Sequence, residues 1–393
     1  MPLTTPAIFI GIMSGTSADG IDIAIGRIAN KAEASLELLQ FSEYPMPTNL
    51  REAILKLATP KITQTDTIDC MGELDRMLGE AYADAVLAAI DDARLKPEDI
   101  AAIGCHGQTI RHRPKAEHPF TIQIGCSSTV AERTGITTVS DFRSRDIAAG
   151  GEGAPLVPFA HRHLFAQKQQ NTAVVNIGGI ANITWLGTDG SSTGFDTGPG
   201  NMIMDGLMLV ISKGEKAFDY DGELAASGSL CRPLLERLLS HPYLQRTPPK
   251  STGREEFGEE ILHLILNWPD IPDADRMATT SHFTAETICD SARFMPAQPD
   301  HWYICGGGTR NRHLMQLLKE RLAPASVTDT GSAGMPPQAV EAVSFALLAR
   351  ETLAGKPNTL AAVTGASRDV CGGQITPGHN WLKLIKTIPT WTH

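Results

Sequence analysis

The chain lacks long hydrophobic runs: no stretch of its 393 residues reaches 18 apolar positions, so no segment is expected to span a bilayer. A basic surplus is missing too, with 34 Lys and Arg against 44 Asp and Glu, a net charge of −10 and a pI near 5.6. Phosphate backbones demand a clustered basic footprint, so nucleic acid is not an expected partner. Seven cysteines (70, 105, 126, 231, 289, 305 and 371) form no Cys-x-x-Cys pair. A scattered, odd set of this kind reads as reduced, mostly buried thiols of a cytosolic protein. The first residues carry no basic region, and Gly11 and Ser14 interrupt the early apolar run, so a signal peptide is not expected and the location is read as cytoplasmic. Also missing are Gly-x-x-x-x-Gly-Lys-Ser/Thr and any Gly-x-Gly-x-x-Gly in a strand–helix context, which excludes a P-loop protein and a dinucleotide fold.

What is present is an ordinary globular composition, 42% hydrophobic and 20% charged, at a length that suggests two or three domains. Apolar patterning predicts strands at 8–13, 21–28 and 35–41, joined by short turns as an antiparallel meander. Helices are expected at 48–57 and, capped by Asp66, in a longer segment where Leu74, Leu78, Tyr82, Val86 and Ala89 recur at helical spacing. Strands at 100–105, 119–124 and 136–140 follow, with a helix at 127–134 closed by Gly135, a polar glycine-rich loop at 141–155 and a helix ending near Phe165. Beyond a polar linker at 167–171 the order begins again, with strands at 173–177, 180–186 and 192–196. Helices at 201–213, 230–240, 256–267 and 280–294 precede a strand at 302–305, a helix at 311–322 and a strand at 326–328. A last helix is expected from Pro336-Pro337, with proline in its first turn, to about Leu353. The repeated order predicts two α/β domains with mixed sheets facing a cleft, 1–166 and 172–393, the last segment of the second being free to pack back on the first.

The 36 glycines gather in clusters. One is the turn Ser14, Gly15, Thr16, Ser17, Ala18, Asp19, Gly20, with Ile21 and Asp22 beyond it. A second, with Gly178, Gly179 and Asn182, lies between the first two strands of the second half. The third, Gly306, Gly307 and Gly308 followed by Asn311, ends a strand and opens a helix. Backbone amides without side-chain bulk approach phosphate closely, and a helix N-terminus favours anions. A tight hairpin explains either of the first two clusters equally well. In Phe195-Asp196-Thr197-Gly198-Pro199-Gly200-Asn201 a carboxylate ends a strand and meets turn residues; a plain strand-to-helix turn is the competing reading.

Phosphate hairpins in both halves and a glycine-rich third loop resemble the actin, hexokinase and Hsp70 ATPase superfamily, built on duplicated ribonuclease-H-like domains. More specifically, residues 11–22, 106–109, 141–158, 175–182, 194–201, 250–255 and 305–308 resemble the motifs of anhydro-N-acetylmuramic acid kinases. The resemblance implies a kinase that opens the 1,6-anhydro ring with water and phosphorylates O6, using ATP and Mg2+, in cell-wall recycling. It implies Asp196 as the catalytic base, the three glycine clusters as the nucleotide site, and the sugar and ATP as partners, with a homodimer allowed. Through the matching motifs it places His106, Gln108, Thr109, Arg143, Asp146, Gly151 and Glu341 at the sugar. His106 at a strand end is equally a structural histidine. Glu341, in a first helical turn, is equally a partner of the helix dipole. Arg143 or Arg145 could hold the lactyl carboxylate, or both could form surface ion pairs. Arg111 to Lys115 reads as a solvated basic loop. One departure stands out: general sugar kinases place an aspartate where this chain has Gly11, which leaves Asp19 and Asp22 as the metal candidates.

Two rivals remain. Asp196-Thr197-Gly198 and Asp329-Thr330-Gly331 resemble the paired acids of an aspartic protease, but such proteases are nearly all-β and helical patterns separate the triplets here. A chaperone-like ATPase of the same superfamily is disfavoured because no peptide-binding domain is expected after the second half.

Overall fold

The computed structural model describes residues 6–15, 18–29, 36–59 and 67–388, the side chain of Glu255 aside. Thr16 and Ser17 of the first glycine cluster, and the expected cap Asp66, lie outside the described residues. The chain divides into two compact units, Met1–Leu164 with Ala339–His393, and Phe165–Gln338. The segment after Gln338, assigned from sequence to the second domain with room to pack back, is part of the first unit.

In the first unit, β1 (Ala7–Met13), β2 (Gly20–Ile28) and β3 (Leu36–Pro45) form the antiparallel meander. β4 (Ile100–Cys105) runs parallel to β1; β5 (Gln108–Arg113) and β6 (Phe120–Ile124) make a separate hairpin. β7 (Thr138–Ser140) is parallel to β4, and Gln374–Thr376 adds an antiparallel edge, giving the order Gln374–Thr376, β7, β4, β1, β2, β3. Phe9, Ile10 and Ile12 are wholly buried, as expected of a strand covered on both faces. The helix Thr67–Asp92 buries Leu74, Leu78, Tyr82, Val86 and Ala89, the stripe its spacing predicts, and Gly135 closes the helix Ser127–Thr134 in the left-handed conformation.

The helix Val340–Leu353 buries every residue from Ala342 to Leu353 and lies directly on this sheet. A Cβ built on Gly11 would stand 1.7 Å from the Ala342 carbonyl oxygen, and one on Gly104 would stand 2.0 Å from that of Phe345. Gly11 and Gly104 are neighbours across β1 and β4, so the pair forms a flat seat for the helix backbone. The helix begins at Val340, not at the prolines: the Pro337 carbonyl accepts the Gly306 N–H at 3.0 Å, which holds 336–339 in a preceding turn. The basic run is also built in more firmly than a solvated loop. Arg111 belongs to β5 and donates from Nη1 to the Ala58 carbonyl at the end of the helix Thr48–Ala58, at 2.7 Å.

In the second unit, β8 (Thr172–Ile177), β9 (Ile180–Leu186) and β10 (Ser192–Pro199) repeat the meander, and β11 (His301–Cys305) and β12 (Ser326–Asp329) extend it in parallel. The order β10, β9, β8, β11, β12 matches β3, β2, β1, β4, β7 strand for strand. Each unit therefore has the ribonuclease-H-like order that the sequence predicts. Trp302, Phe195, Phe257, Phe283 and Leu207 are central to the core of the second unit. The helix expected at 280–294 spans Asp273–Asp290, and the one expected at 256–267 breaks at Gly258 into Arg254–Phe257 and Glu259–Leu266.

Candidate active site

Asp196 lies inside β10, not in a turn beyond it. It faces Asn182 of β9, while the next pair joins Gly198 to Ala181, so Thr197 is the extra residue of a β-bulge and pairing continues to Pro199. A bulge bends the strand and re-aims its side chains, and a proline is tolerated here because β10 is an edge strand. The half-buried Asp196 has its peptide fixed on both sides: its N–H donates to the Lys250 carbonyl at 3.2 Å, and its carbonyl accepts the Tyr243 hydroxyl at 2.7 Å. Its Oδ2 accepts the Thr252 N–H at 2.9 Å. Beside it Asn182 Oδ1 and Thr252 Oγ1 are buried with no hydrogen-bond partner among the described residues. Such orphaned polar atoms suit a site that a polar ligand completes.

Two glycine clusters meet in this unit. The turn after β8 is tied to the end of β10, with the Asn201 N–H donating to Gly178 O at 2.8 Å and the Gly200 N–H to Gly179 O at 2.9 Å. Asn201 Nδ2 donates to the Ile177 carbonyl at 3.3 Å. The loop after β11 packs on the same turn: a Cβ on Gly306 would stand 2.3 Å from Asn176 Oδ1, and one on Gly308 2.4 Å from the Ile177 side chain. Packing therefore demands those two glycines. It does not demand Gly178 or Gly307, where an added Cβ meets nothing closer than 3.6 and 3.7 Å. A Cβ at either position would sit in ordinary van der Waals contact, so bare backbone there is not a packing need and suits a ligand lying flat on the loops. Asn311 caps the helix Arg312–Leu322, its side chain accepting the Leu314 N–H at 2.9 Å.

The first unit gathers a different set. Ser14 donates from Oγ to Gln108 Oε1 at 3.0 Å, both side chains buried, which ties the first glycine turn to the segment after β4. Arg143 donates from Nη2 to His106 Nε2 at 2.8 Å and from Nη1 to Gly153 O at 2.7 Å. A guanidinium only donates, so His106 is neutral with its proton on Nδ1. Burial, followed by the Arg143 charge, holds its pKa well below the usual histidine value. Thr109 accepts from Gln123 at 3.2 Å. Asp146 is wholly buried and accepts from the Gly153 N–H at 2.8 Å and from Thr364 Oγ1 at 2.7 Å. A Cβ on Gly151 would strike its Oδ2 at 2.3 Å, so Asp146 and Gly151 together shape the 146–153 loop. Arg145 donates to the Cys371 carbonyl at 2.9 Å. Glu341 occupies the first turn of Val340–Leu353. Asp19 is exposed beside Gly20, and Asp22 pairs with Met13 across β1 and β2. No group of three or more His, Cys, Asp or Glu suited to a metal forms among the described residues.

The second acid triplet is structural. Asp329 caps the short helical turn Thr330–Ala333 by accepting the Gly331 N–H at 2.8 Å.

The family model for anhydro-N-acetylmuramic acid kinase matches residues 7–378. The chain belongs to this family. An anhydro-N-acetylmuramic acid kinase of Coxiella burnetii (strain Dugway 5J108-111) is 42% identical over 375 residues, 95% of this chain and 98% of that one. The same enzyme from strain RSA 493 / Nine Mile phase I matches to the same extent. Among solved structures, the activator of the 2-hydroxyisocaproyl-CoA dehydratase from Clostridium difficile with bound ADPNP aligns at TM-score 0.42 and 13% identity, over 87% of this chain and 93% of that one. A ROK family glucokinase from Streptomyces griseus, in complex with glucose and AMPPNP, aligns at TM-score 0.39 and 13% identity, over 88% and 100%. As a member of the anhydro-N-acetylmuramic acid kinase family the protein is an enzyme, a kinase. Tyr243, Lys250 and Thr252 touch Asp196; the motif 250–255 is the signal in the sequence for the last two, and nothing local marks Tyr243.

Proposed function

We propose that the chain hydrolytically opens the 1,6-anhydro ring of anhydro-N-acetylmuramic acid and phosphorylates O6, giving N-acetylmuramic acid 6-phosphate and ADP, with Asp196 as the base. Family membership across residues 7–378 carries this reading; the clamped carboxylate on the β10 bulge supports the assignment of the base. Water attacks the anomeric carbon and gives its proton to the Asp196 carboxylate. The bond from the anomeric carbon to O6 breaks, O6 attacks the γ-phosphate in line, and ADP leaves.

The loops around Gly178, Gly179 and Gly306 to Gly308 are the proposed ATP cradle of the second unit; in the first unit Ser14, Gly15 and Ala18 to Asp22 are the residues that the family resemblance assigns to the nucleotide. Magnesium would fit in nucleotide-borne form, because it keeps several waters and needs only one or two carboxylates, and Asp19 and Asp22 would be the residues to supply them. When bound it neutralises charge on the phosphates. His106 presents an Nδ1–H, a donor suited to a sugar oxygen, with Gln108, Thr109, Arg143, Asp146, Gly151 and Glu341 as the rest of the proposed sugar surface. Because Asp146 is wholly buried, its part is to hold the loop. The proposed setting is the cytoplasm; among the described residues no helix is long and apolar enough to cross a membrane.

The test is turnover of purified protein with Mg-ATP and anhydro-N-acetylmuramic acid in ¹⁸O-water, read by mass spectrometry. One label on the anomeric oxygen, with phosphate on O6, is the expected product. ADP release with an unopened sugar would overturn the reading.

A further inference from the structure

One short segment meets both the backbone and the carboxylate of Asp196. The Lys250 carbonyl accepts its N–H and the Thr252 N–H donates to its carboxylate, so residues 250–252 help to set the aim of the acid alongside the Tyr243 hydroxyl and the pairing with Asn182. No strand pairing holds these residues, which precede the short helix Arg254–Phe257. The Lys250 side chain does hold them. It is 6% exposed, and its Nζ lies 4.6 Å from the ring centre of Phe294, 4.9 Å from Tyr243 and 5.6 Å from Phe195. Two of these rings are themselves tied to the acid: Phe195 precedes it in β10, and the Tyr243 hydroxyl bonds its carbonyl.

Burying an ammonium is costly, and ring faces offset only part of the cost. Burial is the main cause that lowers the Lys250 pKa to about 8; Arg293 and Arg246 push the same way, while Asp290 and Asp196 oppose. Methionine would fill the same box without that cost. What the charge adds beyond packing is attraction toward Asp196 and a fixed grip on three rings.

We propose that Lys250 is a positioning residue for Asp196: its ammonium, boxed by Phe195, Tyr243 and Phe294, anchors residues 250–252, whose backbone aims the carboxylate. The proposal rests on the reading of Asp196 as the base.

Lys250→Met keeps the stem and removes the charge; Phe294→Leu removes the nearest ring. Both are compared with the parent enzyme by steady-state kinetics across pH, ATP affinity by calorimetry, and thermal melting. For Lys250→Met, kcat is expected to fall tenfold or more, with KM for sugar and ATP and the ATP affinity within twofold. The acid limb of the kcat profile is expected to move to higher pH, since losing a nearby cation and loosening the Thr252 N–H both favour the neutral acid. Phe294→Leu is expected to move the same quantities in the same directions by smaller factors. An unchanged kcat and acid limb in Lys250→Met overturns the proposal, as does a fall in kcat matched by equal losses in KM and ATP affinity. If Lys250→Met melts below the assay temperature, Phe294→Leu decides by the same criteria. Asp196→Asn is assayed alongside. Turnover by that variant overturns the base assignment and the proposal together, whereas an inactive Asp196→Asn with a fully active Lys250→Met overturns the positioning role alone.

Discussion

Gly11 has no room for a side chain, and the backbone above it is the reason. The Ala342 carbonyl oxygen occupies the place of a Cβ, 1.7 Å from where that atom would be, and it is backbone that cannot rotate aside. Gly11→Ala is expected to lose on the order of 3 kcal/mol of stability, measured by urea unfolding, because the helix must lift from the sheet. A stability within 0.5 kcal/mol of the parent would mean the helix is not seated there. Asp196→Asn is predicted to act in the opposite manner, on chemistry and not on folding. The amide still accepts the Thr252 N–H through its oxygen but takes no proton from water, so ATP binding by calorimetry is retained while sugar turnover disappears. Asp196 was legible in sequence because it stands inside a local motif. Its partners were not: Tyr243, Lys250 and Thr252 reach it from 47 to 56 residues away, a closeness that only the folded chain creates.

Among the elements, spacing announced the amphipathic helix Thr67–Asp92 and both meanders, because one buried face per element leaves a periodic trace. It failed where burial is uniform or pairing is irregular. Val340–Leu353 is buried all round, so no stripe marks its start, and by pattern alone the prolines before it read as its first turn. Gly198 and Pro199 look like turn residues, so the sequence predicts that β10 stops at Asp196, yet the bulge carries pairing through both of them. The helix Val157–Phe165 supplies a pH prediction. Its His161 is wholly buried, and burial pushes its pKa down to about 3. The unfolded chain then binds a proton that the folded chain refuses between pH 6.5 and 3, so stability falls as pH drops through that window. One such histidine costs about 2 kcal/mol between pH 7 and pH 5. His161→Phe is expected to flatten the dependence of unfolding free energy on pH by about that amount. An unchanged slope would place the acid sensitivity in other groups, His106 first among them.

In the whole molecule, the two sheets share one strand order, and even Cys105 and Cys305 fall at equivalent ends of β4 and β11. The units differ in how the chain builds them. Phe165–Gln338 is continuous, and its core, from Ala173 to Val327, draws on that stretch alone. The other unit is assembled from two distant pieces. Its sheet seats Val340–Leu353 on Gly11 and Gly104, takes its edge from Gln374–Thr376, and is pinned by Asn380, whose side chain accepts from Thr137 at 2.9 and 2.7 Å and donates to Ile100 and Ala101. A fragment of residues 165–338 is therefore expected to fold alone, with mixed α/β far-UV circular dichroism and cooperative urea unfolding. A fragment of residues 1–164 is expected to lack cooperative unfolding, since removing the helix leaves Phe9 and the bare glycine seat, on the face of β1 opposite Ile10 and Ile12, open to water. Adding residues 339–393 as a separate peptide is expected to restore a cooperative transition. A sharp transition from residues 1–164 alone would show that the meander and the helix Thr67–Asp92 suffice, and that Val340–Leu353 covers a sheet already formed.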